Sequence, residues 1–194
     1  IPKIISFDAF GTLYTPIKPS VTQYYEIASL PPYNYHKPLA QLNEEFAFHF
    51  KDLYQKYPNY GKYSNIISDY ENEFKGVSAV NPNDVPLKME FDPADYWWAY
   101  LIRKIFEPYV VSNRFINHLL NDLTFNAYTT FEDLKYISKK LKNLNLQDYD
   151  RDLYNENTIR TKDDKIIFVV ISNGDPRVKL ILDSLQLCQK PGQM

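Results

Sequence analysis

The fold class follows from one stretch of the chain, Lys3-Ile4-Ile5-Ser6-Phe7-Asp8-Ala9-Phe10-Gly11-Thr12-Leu13. Residues 3–8 are apolar enough for a short buried strand, which ends in the carboxylate of Asp8. Gly11 and Thr12 follow directly, and they predict a turn at the end of this strand. A strand that ends in a polar turn is typical of an α/β sheet, where ligands bind at the carboxyl ends of the strands.

A second strand of the same kind is predicted at residues 165–171, far along the chain. Its near-continuous apolar run is typical of a strand in a parallel sheet buried on both faces. The run ends in small polar residues, beginning with Ser172. Pro176 then opens a helical pattern, for which Asp175 is the predicted N-cap. If the two strands are parallel neighbours, Asp8 and the polar residues after the second strand lie at the same edge of the sheet.

Helical periodicity fills the region between the two strands. Apolar side chains recur at three- and four-residue spacing in residues 39–57, 92–105, 115–123 and 131–142, and a shorter helix is expected at 20–30 with Ser20 as its cap. Residues 143–164 are rich in Asp and Asn and are expected to form a solvated surface insertion. The predicted architecture is α/β, with a Rossmann-type parallel sheet core from residues 1–16 and 128–194 and an inserted helical cap at 17–127.

Composition excludes several classes of protein. Lys and Arg number 22 against 24 Asp and Glu, a net charge of −2, which is far from the basic balance of a dedicated nucleic-acid binder. No apolar run approaches the roughly 20 residues that span a bilayer, no signal segment is apparent, and the single cysteine, Cys188, has no disulfide partner in the chain. We expect an intracellular, cytoplasmic protein with a small-molecule substrate and neither nucleic-acid nor membrane partners. The sequence leaves its oligomeric state open.

Two motifs resemble those of a known superfamily. Residues 5–13 and residues 170–173 each end a predicted strand, in this order and with a helical insertion between them. They are similar to the first and second motifs of the haloacid dehalogenase superfamily. The resemblance implies that Asp8 is the nucleophile, that Ser172 binds the transferred group, and that the enzyme hydrolyses a small phosphorylated or otherwise activated compound.

The same resemblance implies further ligands for substrate and metal. Thr12 and Asn173 would contribute to substrate binding beside Ser172. Magnesium is the cofactor of the superfamily's phosphatases. It would be bound by the Asp8 carboxylate and by the backbone carbonyl of Phe10.

The middle of the chain resembles one eukaryotic subfamily more narrowly. Residues 46–64, which include 57–61, residues 96–98 and residues 105–106 are similar to the corresponding segments of the subfamily of haloacid-dehalogenase-like hydrolase-domain-containing protein 3, fungal members included. Residues 172–177 also resemble the second-motif region of this subfamily. The resemblance implies no particular substrate for this subfamily.

Departures from the superfamily's pattern bear on activity. Phe10 stands where the phosphatases carry a second Asp as general acid and base, so that proton-transfer role has no candidate. The superfamily's third motif, a Lys, and its fourth, an acidic metal-binding cluster, have no counterpart, because the stretch after Asn173 has room for one helix and a tail. Neither Lys179 nor Lys190 has the context to replace the missing Lys. We therefore expect an incomplete core and a chain that is inactive as it stands.

Two alternatives to this hydrolase remain open. A truncated or degenerate member of the superfamily could keep the fold and act by binding, with Asp8 as a strand-end carboxylate that caps a turn and with Ser172 and Asn173 as helix-start residues. A 2-haloacid dehalogenase is the second alternative, although no Arg precedes Arg103 to hold the substrate in the cap. If the chain ended naturally at Met194, it would leave a sheet edge that favours association.

Overall fold

A computed structural model of the chain describes residues 3–75, 84–136, 158–161 and 164–187. The strands in these ranges are β1 (Lys3–Asp8), β2 (Tyr14–Pro16), β3 (Tyr128–Thr130), β4 (Thr158–Thr161) and β5 (Asp164–Ile171). The longer helices are α1 (Ser20–Ala28), α2 (Leu39–Lys56), α3 (Ile66–Phe74), α4 (Ala94–Ile105), α5 (Asn113–Phe125) and α6 (Val178–Ser184). This mixture of helices with a small parallel sheet confirms the predicted α/β class.

The chain divides into two compact units. The sheet unit comprises the described residues within 1–17, 128–174 and 178–194, and the helical unit comprises those within 18–127 together with Asp175–Arg177. The short segment Asp175–Arg177 lies inside the range predicted for the sheet core. Two of its side chains bond to residues of α4, since Asp175 accepts from Trp98 and Arg177 donates to Asp95.

The sheet unit is built on three strands in the order β1, β5, β4. β1 and β5 are parallel, with Lys3 opposite Ile166 and Asp8 opposite Ile171, so the predicted parallel pair is confirmed. The expected burial of the two strands is wrong, because Ile4 and Ile171 are 66% and 63% exposed. β4 is antiparallel to β5, and the sheet is therefore mixed rather than wholly parallel. The expectation of an irregular insertion over residues 143–164 is wrong at β4, because Thr158 and Ile159 pair with the central strand.

A second, two-stranded sheet completes the sheet unit. β2 and β3 pair in antiparallel orientation, with Tyr14 opposite Thr130. Three-residue strands carry too little periodicity to be predicted from sequence. The apolar core of the unit consists of buried side chains from the turn after β1, from the start of β2 and from α6: Ala9, Leu13, Tyr14, Ile181 and Leu182.

The helical unit is organised around α4. Its side chains are apolar on most of its surface, so it packs against α2, α3 and α5 at once. The fully buried members of this core include large aromatic and aliphatic side chains from every neighbouring helix: Tyr24, Leu42, Leu53, Ile66, Trp97, Leu101, Ile102, Ile105, Phe115 and Ile116. None of the described helices is both long enough and apolar enough to cross a membrane.

Most helices between the strands follow their predicted ranges. α2, α4 and α5 confirm the periodicity, and α2 ends before Pro58, which cannot continue a helix. The predicted capping role of Ser20 is wrong, because Ser20 is already helical and Pro19 takes the N-cap position without a side-chain hydrogen bond. α3 was not predicted.

Some predictions fall partly or wholly outside the described residues. The helix predicted at 131–142 is described only as far as residue 136, and Cys188 is not among the described residues. α6 begins at Val178, later than predicted, because Asp175 accepts a hydrogen bond from the backbone N–H of Arg177 in a turn before the helix.

Two glycines with the same backbone conformation offer a matched test of packing. Gly11 has φ +78° with no atom within 4 Å of an added Cβ, whereas a Cβ at Gly61 (φ +79°) would lie 2.6 Å from Cγ2 of Ile66, which is fully buried. We expect Gly61→Ala to lower the free energy of unfolding by about 2–4 kcal/mol, from backbone strain and overpacking together. Gly11→Ala should cost about 1–2 kcal/mol, from strain alone. Urea denaturation followed by circular dichroism measures both, and equal losses would contradict the packing argument.

Candidate functional site

The predicted nucleophile and the predicted oxygen-binding group follow two paired strand ends. Asp8 is the last residue of β1, and its Cα partner is Ile171, the last residue of β5. Ser172 comes directly after Ile171, so the two polar side chains leave the sheet at the same edge. Asp8, Ser172 and the following Asn173 are all exposed to solvent. The arrangement therefore presents a carboxylate and a hydroxyl to a ligand at this edge.

Backbone hydrogen bonds hold the turn after β1 in place. The buried Ala9 accepts the N–H of Leu13 (2.8 Å) at its carbonyl, and Gly11 donates its N–H to the carbonyl of Tyr14 (2.8 Å). The N–H of Ala9 donates to Oδ1 of Asp8 at 2.9 Å, which orients that carboxylate. Thr12 is exposed in the same turn. The turn thus fixes the backbone on either side of Thr12 and directs Asp8 outward.

The turn after β5 holds the Ser172 hydroxyl in one orientation. Gly174 donates its N–H to Oγ of Ser172 at 3.0 Å. A Cβ at Gly174 would lie 2.8 Å from Cγ2 of Val178 and 3.1 Å from this Oγ, so no larger residue fits there without a shift. Because Oγ accepts from the backbone, the Ser172 hydroxyl retains its own proton for donation to a ligand oxygen.

Phe10 occupies the second position after Asp8 and has no proton to exchange. Its side chain is 56% exposed, and its ring makes edge contacts with Tyr14 and Tyr128, with ring centroids 5.9 and 6.4 Å apart. A benzyl group cannot act as a general acid or base.

The predicted magnesium ligands form an incomplete donor set. Mg²⁺ requires six oxygen ligands in near-octahedral geometry and is held in proteins through one or two carboxylates, waters and substrate phosphates. Asp8 supplies one carboxylate, and Phe10 supplies a carbonyl. Among the described residues, no group of three His, Cys, Asp or Glu side chains is placed to hold a metal ion. These residues alone do not fit a magnesium site, and no chemical step below depends on the metal.

The helical unit contains a buried cluster of charged groups that the sequence did not predict. Arg177 forms an ion pair with Asp95 through Nη2, and its Nη1 donates to Oδ2 of Asp175 at 2.7 Å. The same Oδ2 accepts the indole N–H of Trp98 at 2.7 Å, and Oδ2 of Asp95 accepts the N–H of Phe91 at 2.8 Å. The two carboxylates of this cluster therefore accept hydrogen bonds from the guanidinium, from an indole and from a backbone N–H.

Burial shifts the titration of this cluster. Burial raises the pKa of Asp175, although the Arg177 N–H and the Trp98 indole partly oppose the rise by donating to the carboxylate. Burial also lowers the pKa of Arg177 to about 10, which still leaves the guanidinium charged at neutral pH. Oδ1 of Asp175 accepts the Arg177 N–H at 2.7 Å, which is the hydrogen bond expected of the predicted N-cap, although α6 itself begins at Val178. The sequence signal was the presence of Asp95 within the apolar helix α4.

The chain is similar to two curated proteins, each of which it matches over less than half of the relative's length. It is 27% identical to an uncharacterized protein of Saccharomyces cerevisiae over 193 residues, which are 96% of this chain and 47% of the relative. It is 30% identical over 102 residues, 53% of this chain and 42% of the relative, to a Schizosaccharomyces pombe protein with the provisional name of an uncharacterized hydrolase. The chain thus spans about half the length of the curated relatives it matches. No protein-family model matches it.

Proposed function

We propose that this chain carries the nucleophile part of a hydrolase active site of the haloacid dehalogenase type, which acts on a small phosphorylated compound. The observation that supports the proposal is the register of the parallel strands, in which Asp8 pairs with Ile171 and Ser172 follows. A carboxylate and a hydroxyl at one open sheet edge suit attack on a phosphoryl group and binding of its oxygens. The provisional hydrolase name of the S. pombe relative agrees with this class of reaction.

The proposed reaction has two steps. An Asp8 carboxylate oxygen attacks the phosphorus atom, the bond from phosphorus to the leaving oxygen breaks, and an aspartyl phosphate forms. Water then hydrolyses this acyl phosphate and restores the carboxylate, with inorganic phosphate as the product. Ser172 donates its hydroxyl proton in a hydrogen bond to a phosphoryl oxygen, where charge develops. Phe10 has no proton to give, so the leaving oxygen takes its proton from solvent.

The missing proton donor restricts the substrates that this chain can use alone. A leaving group that departs without a proton, such as the carboxylate of an acyl phosphate, needs no general acid. We propose that turnover of phosphate esters requires a proton donor and further acidic magnesium ligands from the rest of a longer protein. That proposal matches the length of the relatives, of which this chain spans about half.

Covalent labelling with radioactive acetyl phosphate tests the nucleophile. We expect acid-quenched protein to retain phosphate on Asp8, and hydroxylamine to release it as it releases other acyl phosphates. Asp8→Asn should lower the labelling at least about 100-fold, because an amide is not a nucleophile. Asp52→Asn, at an exposed carboxylate on α2, should label like the wild type.

The labelling experiment also decides between catalysis and binding. Equal label on the wild type and on Asp8→Asn would exclude Asp8 as the nucleophile. No label on the wild type, with or without magnesium chloride, would exclude covalent catalysis by this chain. It would favour the alternative in which the site only binds a ligand, as the exposed aromatic ring of Phe10 would allow.

A further inference from the structure

We infer that the Phe10 ring selects substrates whose leaving group is aromatic and departs as an anion, such as aroyl phosphates and the phosphates of acidic phenols. The inference rests on the proposed function and deepens it, because it names the substrate class of the site at Asp8. Two properties of the same side chain support it: the ring is exposed but held in place, and it has no proton to give. All the residues involved belong to the sheet unit.

Phe10 presents an aromatic ring to solvent, and other rings hold it in place. The residue is 56% exposed, which leaves apolar surface in water that a ligand can cover. Its ring makes edge contacts with Tyr14 and Tyr128, and these two rings pack edge-on against each other with centroids 5.1 Å apart. Tyr14 is itself buried. A packed aromatic pair therefore fixes part of the Phe10 ring, and the rest is open to a ligand.

The turn after β1 keeps the backbone of Phe10 close to Asp8. The Ala9 carbonyl accepts the N–H of Leu13 at 2.8 Å, and Phe10 forms a backbone bridge with Tyr14. Because two residues of extended chain span at most about 7 Å, the Cα of Phe10 lies no farther than this from the Cα of Asp8. A compound with a phosphoryl group at one end and a benzene ring at the other is long enough to reach both residues.

The acid–base chemistry of Phe10 points to the same class of substrate. A leaving oxygen that must be protonated requires a general acid, and a benzyl group has no proton to transfer. Benzoate and nitrophenolate depart as stable anions, so they need no such acid. Their rings can also stack or pack edge-on against Phe10, a contact that contributes more than its buried area alone. The side chain that withholds a proton thus supplies a contact that acetyl phosphate cannot make.

The reaction of such a substrate balances without any co-reactant besides water. An Asp8 carboxylate oxygen attacks the phosphorus of benzoyl phosphate, the bond from phosphorus to the benzoate oxygen breaks, and benzoate leaves with the bonding electron pair. Water then attacks the aspartyl phosphate and loses a proton to solvent, which releases inorganic phosphate and restores the carboxylate. Phe10 takes no part in these bond changes and binds only the ring of the leaving group.

Paired phosphoryl donors test the selection by Phe10. Benzoyl phosphate and acetyl phosphate carry leaving carboxylates of similar acidity, so the ratio of their labelling rates, corrected for the ratio of their hydrolysis rates in buffer, reports the ring contact. We expect the wild type to favour benzoyl phosphate roughly 5- to 10-fold, as one aromatic contact can supply. Phe10→Ala should bring the corrected ratio to within about twofold of unity, and Phe10→Leu should lie between the two.

Phe48→Ala is the matched control, because Phe48 is an aromatic residue of similar exposure on α2 in the helical unit. It should leave the corrected ratio unchanged. Circular dichroism confirms that each variant is folded, which the exposure of both residues favours. A ratio that falls equally in Phe48→Ala, or that survives in Phe10→Ala, would overturn the inference.

A binding measurement separates this inference from the proposed function. Phenylphosphonate and methylphosphonate hold phosphorus through carbon and transfer no phosphoryl group, so an NMR titration with them reports binding alone. We expect the wild type to bind phenylphosphonate roughly 5- to 10-fold more tightly than methylphosphonate, and Phe10→Ala to bind the two alike. If no label forms from either donor, the proposed function fails, and the titration still decides the inference. Equal affinities in the wild type, or no saturable binding of either phosphonate, would overturn it.

Discussion

We expect the replacement of Arg103 with Met to lower the free energy of unfolding of the helical unit by about 3–5 kcal/mol. The guanidinium is buried, and its three nitrogens donate to Tyr70 Oη (2.7 Å), the Val111 carbonyl (2.8 Å) and Oδ1 of Asn113 (2.6 Å). Removing it leaves two buried acceptors and a hydroxyl without their donor, each at a cost of about 1–3 kcal/mol. Met fills part of the volume, so the loss comes chiefly from the unpaired polar groups.

Urea denaturation followed by tryptophan fluorescence measures this loss, because both tryptophans lie on α4. Arg103→Lys should recover only part of the stability, since one ammonium cannot reach three acceptors that surround a planar group. Arg114→Met, at an exposed arginine, should change the free energy of unfolding by no more than about 0.5 kcal/mol. A loss below about 1 kcal/mol in Arg103→Met would show that the three contacts do not stabilise the unit.

Replacing Trp97 with Ala lowers the free energy of unfolding by about 3–5 kcal/mol through the cavity it leaves. Trp97 is fully buried, and its ring packs edge-on against Phe50 and Tyr60 with centroids 5.2 and 5.4 Å away. Its indole N–H also donates to the Tyr57 carbonyl at 3.1 Å. The substitution removes the packing and the hydrogen bond together.

Thermal and urea unfolding followed by far-ultraviolet circular dichroism suit this variant, since one of the two fluorophores is lost. Trp97→Phe should lie between Trp97→Ala and the wild type, because it keeps an aromatic ring but loses the indole donor. Phe48→Ala, at an aromatic residue of α2 that is 68% exposed, is the control and should cost less than about 1 kcal/mol. Similar losses in Phe48→Ala and Trp97→Ala would refute the assignment of Trp97 to the core.

The strands and the candidate site were predictable because their signals are local. One apolar run ends in Asp8, and another ends just before Ser172. Each of them predicts where a strand stops and which polar residue follows it. The apolar character of residues 165–171 favoured a parallel partner, and the long segment between the strands permits the crossover that parallel pairing needs. The same segment also joins β2 to β3, which are antiparallel, so its length alone does not set the direction. The role of Asp8 as nucleophile and those of Thr12, Ser172 and Asn173 in binding remain predictions, as do the magnesium ligands and the superfamily assignment.

Whether a helix could be predicted depended on how many turns its apolar periodicity covers. α2 and α4 repeat apolar side chains over several turns and were predicted, whereas α3 is only nine residues long and about half of them are polar, and it was not predicted. β4 was missed because Thr158–Thr161 lies in a polar region. Its strand conformation comes from pairing with β5, a partner that no local pattern reveals.

The sequence by itself therefore determined the α/β class, the parallel pair β1–β5, the main helices and the edge that carries Asp8 and Ser172. Only the tertiary structure decided how the buried charges are paired, above all Arg177 with Asp95, which lie 82 positions apart. The physical reason is that hydrophobic periodicity is repeated within each element, whereas the partner of a buried charge is chosen by packing between distant segments. For the same reason, the sequence predicted Asp175 only as a helix cap, whereas its hydrogen bonds with the Arg177 guanidinium and the Trp98 indole were decided by the tertiary structure.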